Sequence, residues 1–368
     1  MGIKTSMAII PIYIAPIALI SPLGNDLEDH KIALAKNLSG IATQPKVGFG
    51  DENWPQAKIN TLPEKNRFDH LLNIGLDKIA EKFESSLLEH ESTLVIISST
   101  KGNLDLLPLN PFDGIFEMVK TKWNLKHQPI LISNACISGV VAIQKAADYL
   151  RFQKFHQVIV LGIDVLSDFV TYGFQSLFAL SDEPCKPYDH NRKGINLGEA
   201  FGAVLLTKDA NQSNIVFHQA ITSNDANHIS GPSRTGEGLY RSIRKLFEVT
   251  GVKASDIAFI SAHGTATLYN DDMESQAFHR SELTNTPTFS LKGYFGHTLG
   301  AAGVIETIAS LFCLQDGIAY KSLGFEEEGT TCAMHICREN TKTTSKFALK
   351  TASGFGGGNA ALLMEIKS

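Results

Sequence analysis

The chain has 368 residues, 43% of them hydrophobic and 19% charged, with a formal net charge of −5 at pH 7. That suits one large soluble domain or two packed halves, and the slight acidity argues against sequence-independent nucleic-acid binding, which needs a surplus of Lys and Arg. Five scattered cysteines, an odd number, argue against a disulfide framework and for a reducing compartment, so the cytoplasm is the expected location.

The N-terminal stretch MGIKTSMAIIPIYIAPIALISPLG has one lysine followed by apolar residues, the outline of a signal peptide. Pro11 and Pro16 interrupt it, and its Ile-rich pieces close on the turn Ser21-Pro22-Leu23-Gly24, so it reads as strand. Met1-Gly2-x-x-x-Ser6 also fits a short myristoylation pattern. Helix periodicity follows over 68–88, then strand-like runs at 93–98 (TLVIIS) and 129–133 (PILIS). A helix pattern over 137–152 leads to strands at 158–162 (VIVLG) and 203–206 (AVLL). The polar segment 207–214 (TKDANQSN) divides the chain near its middle. Beyond it come helix patterns at 239–249, 273–278 and 301–314, and strands at 257–261 (IAFIS), 347–351 (FALKT) and 360–366 (AALLMEI). No apolar run past the N-terminus reaches transmembrane length, so membrane insertion is not expected. Short apolar strands alternating with helices indicate an α/β protein with buried sheets. Its two halves are expected over 1–210 and 211–368.

Four stretches carry chemistry. Ser133-Asn134-Ala135-Cys136-Ile137-Ser138-Gly139 places a cysteine among small residues at the mouth of a helix. The thiolate is the nucleophilic form, and the unpaired N–H groups of a helix start favour that anion and would hold an oxyanion. On these residues alone, a buried cysteine acting as a small hydrophobe fits equally well. Ser261-Ala262-His263-Gly264-Thr265-Ala266-Thr267 sets a histidine at the end of a buried strand, where α/β sheets present ligands; a histidine that only satisfies its loop is the alternative. The third stretch, 290–303, surrounds His297 with four glycines, with Lys292 five residues before it and Glu306 nine after, charges able to tune its protonation. A glycine-rich helix contact would use the same residues. Ala352-Ser353-Gly354-Phe355-Gly356-Gly357-Gly358-Asn359 reads as a hairpin turn or as a mobile lid with Phe355 as its plug. Cys332-x-x-His335-x-Cys337 has no fourth ligand, and on a strand Cys332 would point away from the other two, so no metal site is expected. The basic face over 240–245 could dock an acidic partner protein, but most such faces are simply solvated.

In order along the chain, these stretches resemble the β-ketoacyl-acyl carrier protein synthases with a Cys-His-His triad, the condensing enzymes of fatty acid and polyketide synthesis. The residues around Cys136 are similar to that family's nucleophile motif. His263-Gly264-Thr265-Ala266-Thr267 with Asp271 and Glu274 resembles its H-G-T-x-T…D…E motif. Lys292, Gly296-His297-Thr298-Leu299-Gly300-Ala301-Ala302-Gly303 and Glu306 resemble K…G-H-x-x-G-A-A-G…E. Gly354-Phe355-Gly356-Gly357 is similar to its gating loop, and Ser21-Pro22-Leu23-Gly24-Asn25 to its early turn. Lys186-Pro187-Tyr188-Asp189 with Arg192, Gly198 and Glu199 resembles its R-P-F/W-D…R…G-E/D segment.

The resemblance implies a thiolase-like α/β fold, five-layered αβαβα in two pseudo-duplicated halves, and a decarboxylative Claisen condensation between an acyl-cysteine and malonyl carrier protein. It implies Cys136 as nucleophile and His263 and His297 as donors to the malonyl thioester carbonyl, with Lys292 and Glu306 as a pair supporting His297. The Cys136 and Phe355 N–H groups would form an oxyanion site, and Thr265 and Thr267 would meet the phosphopantetheine arm. Phe355, Gly356 and Asn359, with the loop 225–228, would form a gate. No metal or other cofactor is implied, because the phosphopantetheine belongs to the acyl carrier protein. That protein is the expected partner, beside a second copy or a ketosynthase-like subunit in a homodimer or heterodimer.

Departures from the pattern suggest a specialised member, of a polyene or other secondary pathway. The segment 98–134 is short, and Phe178 replaces an arginine near the carrier entrance. Leu268 and Asn270 replace proline and glycine, Ser353 an aromatic residue, and Gly358 a threonine. The alternative is a non-catalytic partner subunit of the chain-length-factor type, which usually lacks the cysteine found here. A thiolase would need a second cysteine in a late C-x-G context, and neither Cys332 nor Cys337 has one.

Overall fold

The computed structural model describes residues 10–83, 85–152, 154–225 and 233–367. The pattern at Gly2 and Ser6, the start of the N-terminal apolar stretch and loop positions 226–228 lie outside the described residues. Ten strands form one sheet: β1 (Ile12–Ile20), β2 (Thr93–Ser98), β3 (Ile130–Ile132), β4 (Gln157–Asp164), β5 (Ala200–Thr207), β6 (Ile215–Asn224), β7 (Ile257–Ala262), β8 (Thr288–Ser290), β9 (Phe347–Gly354) and β10 (Gly358–Ile366). The helices that matter below are α1 (Arg67–Ala80), α2 (Ser138–Arg151), α3 (Asp168–Ser176), α4 (Glu237–Thr250), α5 (Leu268–Arg280) and α6 (Ala302–Asp316).

The strand order is β8-β7-β9-β10-β6-β1-β5-β4-β2-β3. Read from the middle outward, each half repeats one pattern. The second strand runs parallel to the third and fourth, and the fifth runs antiparallel to the fourth and the first. The halves join where β1 meets β6 antiparallel, Ile12 opposite Phe217 and Tyr13 opposite Val216.

Side chains alternate faces along a strand, so alternate residues here enter different cores. Leu94 and Ile96 of β2 point into the central core, Val95 and Ile97 into an outer one. In β10, Ala360, Leu362 and Met364 go to the centre and Ala361 and Leu363 outward. The central core belongs to α2 and α6, which both touch strands of both halves, while α1 covers the outer face of β1 and β5 and α4 that of β6 and β10. The result is five layers, αβαβα. Each large aliphatic side chain so enclosed contributes about 1.5–3 kcal/mol.

The segment Leu299–Asp316 is long and apolar enough to cross a membrane, but 89% of it is buried inside this fold, the position of a core helix. Its glycine makes the middle layer possible. A Cβ on Gly303 would lie 2.6 Å from the Val140 nitrogen, and one on Gly139 would lie 2.6 Å from the Val304 nitrogen. The starts of α2 and α6 therefore cross backbone to backbone.

Several elements differ from the sequence pattern. The helix read over 68–88 stops at Ala80, and α5 extends well beyond 273–278. The pattern missed β6 because its polar residues His218, Gln219 and Thr222 interrupt the apolar run. Cys332 and His335 lie in a loop rather than on a strand, with His335 Nδ1 beside the Asn285 carbonyl oxygen at 3.3 Å.

Candidate active site

The nucleophile candidate stands on a tight elbow between β3 and α2. Ala135 has φ +44°, a left-handed conformation that a small side chain tolerates best. Ser138 pins the turn: its Oγ accepts from the Asn134 N–H at 2.7 Å and donates to the Ala135 carbonyl at 2.6 Å. Cys136 is thereby presented at 8% exposure to a cavity of about 470 Å³.

From the corresponding connection in the second half, between β8 and α6, His297 brings Nε2 to 3.0 Å from Cys136 Sγ. The Leu299 N–H donates to His297 Nδ1 at 3.2 Å. Nδ1 is thus an acceptor, so the neutral ring carries its proton on Nε2, facing the sulfur. His263, at the end of β7, stands edge-on to His297 with ring centroids 5.4 Å apart. The three ligand atoms of Cys136, His263 and His297 lie within 4.8 Å of one another. Burial, reinforced by the nearby Lys292 cation, holds both imidazoles well below their ordinary 6.5. They are neutral hydrogen-bond donors at physiological pH.

The sequence predicts a thiolate favoured by the helix start. In the folded chain desolvation outweighs that effect: burial pushes the Cys136 thiol up to about 11, against the opposing pull of Lys292 and a hydrogen bond from the Phe355 N–H. Cys136 therefore rests as a thiol, with His297 Nε2–H and the Phe355 N–H directed at its sulfur.

Carboxylates hold the His263 loop. Glu274 accepts from the His263 and Gly264 N–H groups at 2.9 and 2.7 Å. Asp271 accepts from the N–H groups of Thr265 at 2.9 Å and of Tyr188 at 2.7 Å. This fixes Thr265 and Thr267 on the cavity wall with their hydroxyls 2.8 Å apart. Tyr188 and Arg192, singled out in the sequence, prop this loop from behind: Tyr188 OH donates to Glu274 at 2.9 Å, and Arg192 donates to the Leu268 carbonyl at 3.3 Å.

Lys292 and Glu306 form a buried ion pair, but Lys292 Nζ donates to the His263 carbonyl at 3.0 Å rather than to His297. A third partner joins them: Lys350, inside β9, sits 2.7 Å from Glu306 Oε2 and donates to the Ser261 carbonyl at 3.2 Å. Two cations outweigh the burial that by itself raises Glu306, and they hold its carboxyl below the ordinary value.

The 352–359 loop crosses directly over Cys136: a Cβ on Gly354 would lie 3.0 Å from the Cys136 nitrogen. Phe355 stacks on Phe174 of α3 at 5.6 Å and 19°. Gly356 has φ +84° with open space around it, whereas Asn359 is bound into the loop, its amide accepting from Ser353 Oγ at 2.8 Å and donating to the Gly357 carbonyl at 3.1 Å.

Models of the β-ketoacyl synthase N-terminal and C-terminal domains match residues 115–212 and 214–326, more than half of the chain. The chain belongs to the β-ketoacyl synthase family. It is 26% identical over 407 aligned residues to 3-oxoacyl-[acyl-carrier-protein] synthase 2 of Coxiella burnetii, covering 96% of this chain and 98% of that relative. It is 32% identical to the protein of the same name from Rhizobium meliloti, over 63% of this chain and 59% of the relative. Its fold is similar to that of a ketosynthase solved in complex with its chain length factor from Xenorhabdus doucetiae, at a TM-score of 0.83 and 24% identity, covering 97% and 98% of the two chains.

Within this β-ketoacyl synthase site, sequence reading missed Lys350, Phe174 and Asp164. A lysine in the middle of the apolar run FALKT is the signal that finds the first, since a buried cation needs a buried anion. Asp164, at the end of β4, accepts from Ser99 Oγ at 2.8 Å, the Thr100 N–H at 3.0 Å and the Gly300 N–H at 2.7 Å, tying the start of α6 to the first half. No local pattern announces that role.

Proposed function

We propose that this β-ketoacyl synthase acts as an acyltransferase on acyl carrier protein thioesters, extending an acyl group held on Cys136 by decarboxylative Claisen condensation. The observation that carries the reading is the approach of His297 Nε2 to Cys136 Sγ, beside His263, in a cavity open to solvent at Phe355. In the first stage Cys136 Sγ attacks the thioester carbonyl. The C–S bond to the phosphopantetheine breaks, and the departing sulfur leaves as a thiol with the proton that Cys136 gives up. The N–H groups of Cys136 and Phe355 hold the oxyanion. In the second stage the malonyl C–C bond breaks, releasing carbon dioxide and leaving an enolate whose oxygen receives hydrogen bonds from His263 and His297. His263 and His297 both line the cavity that would receive that oxygen, which supports the role. The enolate carbon attacks the acyl-cysteine carbonyl, and the C–S bond breaks to release Cys136 as a thiolate, which takes a proton from solvent to restore the thiol.

Lys292, Glu306 and Lys350 position the His263 carbonyl and the local potential. Thr265 and Thr267 meet the phosphopantetheine arm, and Phe355, Gly356 and Asn359 form the gate. Decarboxylation itself supplies the carbanion, so the chemistry needs neither metal nor organic cofactor. The partners are acyl carrier protein and either a second copy of the chain or a ketosynthase-like subunit, in the cytoplasm, a location that the five free cysteines support.

Mass spectrometry after incubation with acyl carrier protein thioesters tests the reading. A mass gain located on Cys136 and lost in Cys136→Ala is expected. His297→Ala is expected to impair malonyl decarboxylation far more than self-acylation. A wild-type chain that takes no acyl group of any length, with or without a partner subunit, would instead be a non-catalytic subunit.

A further inference from the structure

The mouth of the Cys136 cavity is apolar and uncovered. Phe178 is 93% exposed, Tyr269 74%, Leu268 58%, Leu177 50% and Phe355 39%. These five are a third of the fifteen large apolar residues left exposed among the described residues, and they ring one opening. Such concentration marks an interaction surface, whereas scattered exposed hydrophobes do not. Phe178 has φ +53° because it ends α3: its N–H donates to the Gln175 carbonyl at 3.0 Å and the Ala179 N–H donates to the Phe174 carbonyl at 3.1 Å, the bonds of a left-handed helix end, and this turn leaves its ring exposed at the mouth.

Charge at the same opening is already matched. Among the described residues that line it, Lys193 is the one lysine or arginine, and its Nζ lies 3.2 Å from Asp182 and 3.0 Å from Glu183. The chain as a whole carries −5. An acidic partner meets no unopposed cation among these described lining residues.

We infer that the rim centred on Phe178 is the docking face for the acyl carrier protein, which it engages through apolar contact rather than through charge. This rests on the carrier-thioester reading above. The carrier is the occupant because the cavity that reaches Cys136 opens through this rim. A subunit seated there permanently would close the route to the sulfur.

The experiment measures the second-order rate of Cys136 acylation by one acyl group presented on carrier protein and on free pantetheine, at about 50 and about 500 mM NaCl. The carrier reaction should change less than about twofold with salt, the mark of an encounter not steered by charge. Phe178→Ser should slow it about tenfold, a hot-spot loss, and the loss with free pantetheine should be several times smaller. Phe152→Ser, at an aromatic that is 77% exposed and outside the mouth's lining, should match wild type. The inference is overturned by a salt-induced fall of more than about fivefold, or by a Phe178→Ser chain as fast as wild type. It is also overturned if Phe178→Ser dissociates an oligomer in sedimentation, which would make the rim a subunit contact. If wild type accepts acyl groups from neither donor, the condensing-enzyme reading has failed and takes this inference with it. Acylation by both donors with no effect at Phe178 defeats the docking face alone.

Discussion

The two halves of the sheet share one strand order but use corresponding positions differently. The third strand of each half leads into a central helix: after β3 that connection carries Cys136, and after β8 it carries His297. The second strand ends on Ser98-Ser99-Thr100 in the first half and on Ala262-His263-Gly264 in the second. Asp164, at the end of the fourth strand, takes the hydroxyls of Ser99 and Thr100 and reaches across to the Gly300 N–H. In the second half the end of the fourth strand is Gly354, and Phe355 beyond it crosses to Cys136. A duplicated frame thus delivers equivalent loops to one place. The first half's set mainly holds the helix starts together, and the second half's set brings His263, His297 and Phe355 to the Cys136 cavity.

The strongest way to break this arrangement is at the crossing of α2 and α6. Gly303→Val would drive a side chain into the backbone of Gly139 and Val140. It should cost about 3 kcal/mol or more, or prevent folding, as measured by chemical denaturation. Gly173→Ala, on the open face of α3 with nothing within 4 Å, should be neutral or stabilising by up to about 1 kcal/mol. Equal effects at the two sites would mean that the crossing is not close-packed.

A smaller difference separates the two buried carboxylates. Lys350→Met leaves Glu306 with a single cation in a dry site, and should cost about 3 kcal/mol. Lys101→Met removes a cation 3.3 Å from Asp164, which keeps its hydrogen bonds from Ser99, Thr100 and Gly300, so about 1 kcal/mol is expected. Denaturation midpoints that fall in the opposite order would refute the contrast.

The pH dependence of the second half's histidines gives a third comparison. His263 and His297 titrate well below 6.5 when folded and near 6.5 when unfolded. Below about pH 6.5 the unfolded chain therefore binds protons that the folded chain does not, and stability falls as pH falls. Two such groups give a slope of up to about 2.7 kcal/mol per pH unit. Replacing both by glutamine should flatten the slope between about pH 6 and about pH 5 to less than half. A slope unchanged in the double variant would place the acid sensitivity elsewhere.

Local regularities were the legible part. The apolar runs at 93–98 and 257–261 became β2 and β7 because a strand buried on both faces has no polar positions to blur it. Cys136, His263 and His297 stood out because chemistry-bearing residues were set among glycines and small side chains at strand and helix ends. β6 was hidden by the polar residues near its middle, and α3 by the scarcity of buried positions on it. The Lys292–Glu306 pair was visible, but its target was not: the hydrogen bond to the His263 carbonyl joins residues 29 positions apart in sequence.

The amino-acid order alone determined the alternation of strand and helix and singled out Cys136, His263 and His297. Side-chain type and short-range periodicity act over a few residues and need no distant partner to be read. Only the tertiary structure decided that Nε2 of His297 carries the proton facing sulfur, that burial leaves Cys136 a thiol, that Lys350 completes the ion cluster, and that the cavity mouth is apolar. Each of those depends on desolvation and on contacts between segments far apart along the chain, and these quantities do not exist until the layers have packed.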